Sequence, residues 1–206
     1  MRIGNILNTN NKHRSVLLKR SNINYQRLDQ FILPPGFRGR SAFIVQLWWL
    51  VQSTLFAWSP QFMYAWRRFL LRLFGSHIGE KVLIRPSVQV TYPWKLTIGN
   101  YSWIGDRVEL YTLGEIKIGD HVVISQCSYL CTGSHDTTKP TFDIDARPIT
   151  VHDQAWVATD VFIAPGVTIG HGCVVGSRSA VFHDLPAGKI CYGSPAIPVK
   201  DRVVNK

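Results

Sequence analysis

From Val151 to Val181 a β-branched aliphatic residue returns at every sixth position: Val151, Val157, Ile163, Ile169, Val175 and Val181. A period of six suits neither an α-helix nor a single alternating strand. It suits short strands joined by turns, three to a coil, with the coils stacked as a parallel β-helix. Each recurring aliphatic then points into a narrow triangular interior. The Gly and small polar residues between them, as in "IAPGVT" and "VGSRSA", make the turns.

The first half of the repeat carries the same beat, slightly stretched. Ile78, Ile84 and Val90 form one set, Ile98, Ile104 and Leu110 a second, and Ile118, Ile124 and Leu130 a third, with successive sets twenty residues apart. The sets open alike, with "HIGE", "TIGN" and "KIGD", and "TVHD" and "TIGH" open two more. About five coils are expected over residues 76–192, followed by a C-terminal tail over 193–206. Thirty-three residues separate Ile118 from Val151, thirteen more than the regular twenty. The surplus, "TTKPTFDIDARP", is aperiodic, bears mixed charge and has Pro at both ends. A solenoid ejects such a segment without disturbing its neighbours, so residues 134–148 are expected to project as a loop, beginning beside His135.

Residues 1–75 differ in kind and are expected to form a separate helical extension. Eleven Lys and Arg stand there against one acid, Asp29, whereas the rest of the chain balances twelve basic with twelve acidic residues. The net charge of +10 therefore belongs to this extension. It suits anionic lipid head groups or a polyanionic ligand, or it serves as a solubilising arm; no nucleic-acid partner is expected. "AFIVQLWWLVQSTLFAW" (42–58) and "QFMYAWRRFLLRLFG" (61–75) read as two helices, with Ser59 as N-cap before Pro60 and Gly75 as the stop. The first is too short and polar to span a bilayer. The second reads as basic and amphipathic, fit to lie in a membrane interface. Capping the open end of the solenoid is the other reading, and the two are compatible over 42–74. No secretory signal is recognisable, and Cys127, Cys131, Cys173 and Cys191 form no CxxC pair, which suits a reducing, cytoplasmic location, peripheral to the inner membrane face if the helices touch lipid.

The six-residue repeat with its ejected loop resembles the hexapeptide-repeat acyltransferases. "RGRSAFIVQLWWLVQSTLFAWSP", "WRRFLLRLFG", "IRPSVQVTYPWKLTIG", "VVISQCSYLCTGSHD" and "PAIPVKDR" resemble the branch associated with colanic acid and other exopolysaccharides, over roughly residues 25–205. The resemblance implies a left-handed β-helix, a homotrimer, acetyl-CoA as co-substrate and a saccharide acceptor, with no metal. It places the family's catalytic histidine at His135, as general base. A sugar hydroxyl is a poor nucleophile at neutral pH, and an imidazole that accepts its proton in the transition state contributes typically ~10²–10⁴-fold. Asp136 and Glu109 are the candidates to orient that imidazole. The resemblance also places pantetheine at Thr159 and Ser177, and Arg178, Lys200 and Arg202 are candidates for the CoA phosphates. Two departures, Phe182-His183 in place of Thr-Lys and "SPA" followed by Ile197, put phosphate contacts at those points in question.

Other readings are weaker. A zinc lyase of the γ-carbonic anhydrase kind needs three converging imidazoles, and no second His lies within a dozen residues of His135. A non-catalytic solenoid scaffold at a membrane leaves the loop unexplained. Acetylation of a drug or small natural product fits the repeat but not the tryptophan-rich preface. His121, His152, His171 and His183 fall at outward turn positions, and Cys131 is expected to be packing rather than a nucleophile.

Overall fold

The computed structural model describes residues 23–205. Arg2, Lys12, Arg14, Lys19 and Arg20, nearly half of the basic residues in the N-terminal extension, lie outside the described residues. The described residues divide into two compact units, one of residues 34–134 and 145–205, the other of residues 23–33 and 135–144.

The larger unit is a parallel β-solenoid with three faces. The first face stacks His77–Ile78, Leu96–Ile98, Ile116–Ile118, Ile149–Val151 and Thr168–Ile169. The second stacks Leu83–Ile84, Trp103–Ile104, Val123–Ile124, Trp156–Val157, Val174–Val175 and Lys189–Gly193, and Ala196–Asp201 closes it antiparallel. The third stacks Gln89–Val90, Glu109–Tyr111, Tyr129–Cys131, Phe162–Ile163 and Ala180–Val181. Five coils are complete, and Leu185 and Cys191 begin a sixth. Every aliphatic of the six-residue rhythm points inward, none more than 7% exposed. Each such side chain contributes about 1.5–3 kcal/mol when fully buried. Cys173 and Cys191 lie in the same interior, with their sulfurs 3.8 Å apart, and burial pushes the Cys173 thiol up to about 12.

The recurring openings have a specific cause. Glu80 N–H donates to Asn100 Oδ1 (2.9 Å), Asn100 N–H to Asp120 Oδ1 (2.6 Å) and Asp120 N–H to Asp153 Oδ1 (2.9 Å). One Asx side chain per coil thus satisfies the backbone of the coil before it. The carboxylate reaches across the preceding residue of that coil, so a Cβ at Gly119 would collide with Oδ1 of Asp153. In the fourth coil this position is His152, and its side chain is tolerated because the next coil carries His171 where the others carry Asx.

Between coils, residues such as Gly79, Leu83 and Arg85 donate to Ile98, Ser102 and Ile104 of the following coil, while corner residues donate back, as Tyr101 does to Glu80. The first-coil carbonyls of Ile78, Val82, Ile84 and Val90 face the other way, where no coil precedes to satisfy them. The helices supply the donors. Helix α1 is Ala42–Val51, continued by a wider turn over Gln52–Phe56, and helix α2 is Tyr64–Leu73. From α2, Arg67 Nε donates to Ile84 O (2.6 Å), Arg68 to Val82 O (2.8 Å) and Arg72 to Ile78 O (2.6 and 2.9 Å). From α1, Trp48 Nε1 donates to Val90 O (2.7 Å). Arg67, fully buried, also donates to Ser59 Oγ and to the Pro60 and Gln61 carbonyls.

Two expectations about these helices change. Ser59 is not an N-cap: its hydroxyl donates to Phe56 O and accepts from Arg67, α2 begins at Tyr64, and the side chain that caps a helix is Ser41, at the start of α1. The arginines of α2 also do not form a solvent face. The buried stripe is Arg67, Leu70 and Leu71; Phe69 and Leu73 are exposed, and Arg72, though exposed, turns its guanidinium back onto the Ile78 and Gly79 carbonyls. No helix among the described residues is long and apolar enough to cross a membrane.

Replacing Arg67 with Met should lower stability by about 3 kcal/mol, because buried carbonyls then lose their donor. A urea midpoint unchanged from the parent at equal protein concentration would contradict this role.

Candidate active site

The smaller unit carries His135. The chain leaves the solenoid after Ser134 and returns at Asp145, with Gly133–His135 and Ile144–Ala146 as the stem of a hairpin. At its base Asp136 N–H donates to Asp143 O (2.8 Å). The Asp136 carboxylate accepts from Thr138 Oγ1 (2.6 Å) and N–H (2.9 Å), and these bonds, helped by Lys139, hold it below the usual carboxylate range. Lys139 bridges Asp143 (2.9 Å) and Asp136 (3.8 Å) across the turn.

The half-buried His135 ring stacks on Phe142, with centroids 3.9 Å apart and planes 11° apart. Its Nδ1 lies 2.8 Å from the Phe142 carbonyl oxygen. A carbonyl only accepts, so Nδ1 carries the proton and the lone pair of the neutral ring lies on Nε2. The orienting group is thus a backbone carbonyl, whereas Asp136 is engaged with Thr138. Phe142 holds that carbonyl in place with φ +53°, a left-handed conformation that costs a non-glycine residue energy and recurs at functional sites.

The remaining candidates belong to the solenoid. Glu109 is exposed on the third face, paired in register with Tyr129. That face carries a run of aromatic contacts, Tyr111–Tyr129, Tyr129–Phe162 and Phe162–Phe182, each with centroids about 6 Å apart. Thr159 and Ser177 share one edge with Asp106 and Gln126, each two residues beyond an inward aliphatic of the second face. The edge is straight because coils repeat every ~4.8 Å. Thr159 Oγ1 donates to Gln126 O (2.9 Å), and Ser177 is exposed. Arg178 sits at the adjoining corner with φ +59°, its guanidinium 3.4 Å from Asp160. Lys200 is exposed in the terminal strand. Arg202 donates to the carbonyls of Gln154 (2.9 Å) and Gly172 (3.0 Å), so its guanidinium is tied to solenoid corners.

Sequence reasoning passed over a groove of about 560 Å³ that lies along the same edge, in the first three coils. Tyr64, Arg85, Trp103, Asp106, Arg107 and Gln126 are among its lining residues. Trp103 is 54% exposed although it adjoins the buried Ile104. The alternation of the strand forecasts that outward position, but nothing in the repeat forecasts an indole on it.

A six-residue solenoid with an oriented imidazole on an ejected hairpin has the geometry of an acyl-transfer enzyme. No protein-family model matches the chain. It is similar to a hexapeptide-repeat acetyltransferase, VCA0836 from Vibrio cholerae, solved in complex with acetyl coenzyme A, at 26% identity and a TM-score of 0.72, covering 81% of this chain and 92% of that one. The chain belongs to the hexapeptide-repeat acetyltransferases. Within that family it is 63% identical, over 178 residues, to the colanic acid biosynthesis acetyltransferase WcaF of Escherichia coli (strain K12), covering 86% of this chain and 98% of that one. The galactoside O-acetyltransferase of the same organism is 27% identical over 138 residues, 66% of this chain and 68% of the relative.

Proposed function

We propose that this chain is an acetyl-CoA-dependent O-acetyltransferase that modifies a sugar hydroxyl in polysaccharide or glycolipid biosynthesis, with His135 as general base. The observation that carries the proposal is the Nδ1–carbonyl contact to Phe142, which leaves Nε2 as a fixed proton acceptor. Nε2 takes the proton of the attacking hydroxyl as its oxygen bonds to the thioester carbonyl carbon. The imidazolium then returns that proton to the sulfur as the carbon–sulfur bond breaks. No covalent acetyl-enzyme is needed. The names of WcaF and the galactoside enzyme agree with a saccharide acceptor. The His135→Ala variant should lose about 10²–10⁴-fold in kcat with little change in KM for acetyl-CoA; undiminished turnover would remove the mechanism.

On this reading, pantetheine follows the edge at Thr159 and Ser177, and the acceptor occupies the groove further along it. An exposed indole offers an apolar platform for the C–H face of a sugar ring, and Arg85, Asp106, Arg107 and Gln126 offer polar partners for its hydroxyls. Trp103→Ala should raise KM for the saccharide about tenfold or more and leave KM for acetyl-CoA unchanged. An equal rise in both constants would argue against this division of the edge.

The proposed assembly is a homotrimer. The outward row of the second face is Leu83, Trp103, Val123, Trp156, Val174 and Ile190, apolar at every rung, whereas that of the first face is His77, Thr97, Lys117, Thr150 and Thr168. A row of this kind suits a cleft covered by a second copy of the chain, in which one protomer presents the thioester edge and the next its imidazole.

We further propose a cytoplasmic protein, peripheral at the inner membrane face through residues 42–74. Phe43, Leu50, Leu55, Trp58, Phe62, Phe69 and Leu73 are all exposed on or between the helices, Trp58 at 85% and Phe62 at 79%. Because the α2 arginines are spent on the solenoid, apolar contact rather than those charges would hold this surface to lipid. The wild-type chain should co-sediment with phosphatidylglycerol-containing vesicles and the Trp58→Ser/Phe62→Ser variant should not; equal recovery of both in the supernatant would refute the contact.

A further inference from the structure

The segment of residues 23–33 belongs to the same compact unit as the His135 hairpin, and it touches the hairpin at two defined points. Arg27 N–H donates to the Pro140 carbonyl (2.6 Å). The Phe31 ring meets the His135 imidazole edge-on, with centroids 6.2 Å apart and planes 64° apart.

Between these anchors the segment is shaped locally. Leu28–Gln30 makes a single helical turn, Gln30 N–H donates to Arg27 O (2.9 Å), and Phe31 N–H donates to Leu28 O (3.2 Å). The Arg27 guanidinium clamps the Asp29 carboxylate through two hydrogen bonds of 2.9 and 2.8 Å. That pair is exposed, and the turn that aims Phe31 is held by the backbone bonds of Gln30 and Phe31. All the other residues from 23 to 33 are exposed, and Phe31 alone is half-buried. A segment that hides only one side chain, and hides it on an imidazole, is placed for that contact.

We propose that residues 23–33 are a strap that positions His135, with Phe31 as a positioning residue. The proposal rests on the reading of His135 as general base. Phe142 supports one face of the imidazole and accepts from its Nδ1, so ring tilt is restrained from that side only. Phe31 supplies a second wall, and an edge-to-face aromatic contact is directional, favouring one ring orientation over its neighbours. The backbone bond to Pro140 ties the strap to the hairpin turn, so the wall and the ring move together. Nε2 must meet the acceptor hydroxyl within hydrogen-bond reach, and a displacement of about 1 Å is enough to cost ~10²-fold in rate.

The test compares full-length wild type with Phe31→Ala, Phe31→Tyr, His135→Ala and the Phe31→Ala/His135→Ala double variant. Phe31→Ala should lower kcat by about 10- to 100-fold with KM for acetyl-CoA unchanged, and Phe31→Tyr should restore most of the loss. Amide hydrogen exchange over Asp136–Ile144 should quicken in Phe31→Ala and remain at the wild-type rate in Phe31→Tyr. On the His135→Ala background Phe31→Ala should cause no further loss, since a residue acting through the imidazole has nothing left to act on. A silent Phe31→Ala beside an impaired His135→Ala would overturn the strap and leave the base in place. An additional loss in the double variant, or unchanged hairpin exchange, would likewise overturn it. If His135→Ala alone keeps full activity, the general-base reading fails first and independently.

Discussion

A stacked solenoid hydrogen-bonds along its own axis, and its first coil is therefore left with a row of carbonyls that nothing precedes. This structure meets that constraint with Arg67, Arg68, Arg72 and Trp48, whose side chains occupy the places that N–H groups of an earlier coil would take. A guanidinium suits the task because its fork of donors reaches several carbonyls at once. Arg67 uses this fully, joining Ile84 O to the backbone of the turn before α2. Burial without a carboxylate partner disfavours its charge, and its pKa is pulled down mainly by desolvation. Four hydrogen bonds to oxygen compensate. The same solution also covers the exposed sheet ends that would otherwise pair with another chain.

Once the stack is closed at that end, its regularity becomes functional. Strict registry places Asp106, Gln126, Thr159 and Ser177 in a line beside an apolar row, and the groove occupies the part of that line in the first three coils. An elongated thioester and an elongated acceptor can then lie end to end against one rigid wall. A straight edge brings nothing reactive of its own, because every position on it is a turn residue repeated by the fold. Under the proposed function the reactive group comes from a break in that pattern, the hairpin that bears His135.

The parts legible in the sequence were those the repeat dictates. Inward aliphatics, the number of coils and the site of the ejected segment all follow from a period that tolerates no error, since a shift of one residue would turn each aliphatic outward. The helices were legible as helices, but their orientation was not. In "WRRFLLRLFG" the arginines share helical spacing with leucines, and a pattern argument assigns charge to solvent unless it knows that orphan carbonyls lie beneath. The group that orients His135 was out of reach for a different reason. It is the carbonyl of Phe142, and a backbone carbonyl has no letter in the sequence. Carboxylates such as Asp136 draw attention because they are visible in the text, while the oxygen that meets Nδ1 is set by a left-handed φ seven residues away.

The contrast between solenoid and hairpin explains why the imidazole needs supports from outside the repeat. Inside the stack, each side chain is held by identical neighbours above and below, and orientation is inherited from the coil. On the hairpin nothing is inherited. Asp136, Thr138, Lys139 and Asp143 tie the hairpin to itself, but these bonds are largely exposed, and exposed ion pairs contribute little rigidity. What bears directly on the ring is aromatic and apolar: Phe142 on its face and Phe31 at its edge. Under the proposed positioning role, such contacts restrain the tilt of the imidazole through shape rather than charge. The Phe142 carbonyl fixes which ring nitrogen donates, and the two aromatic rings limit how the imidazole can tilt about that bond.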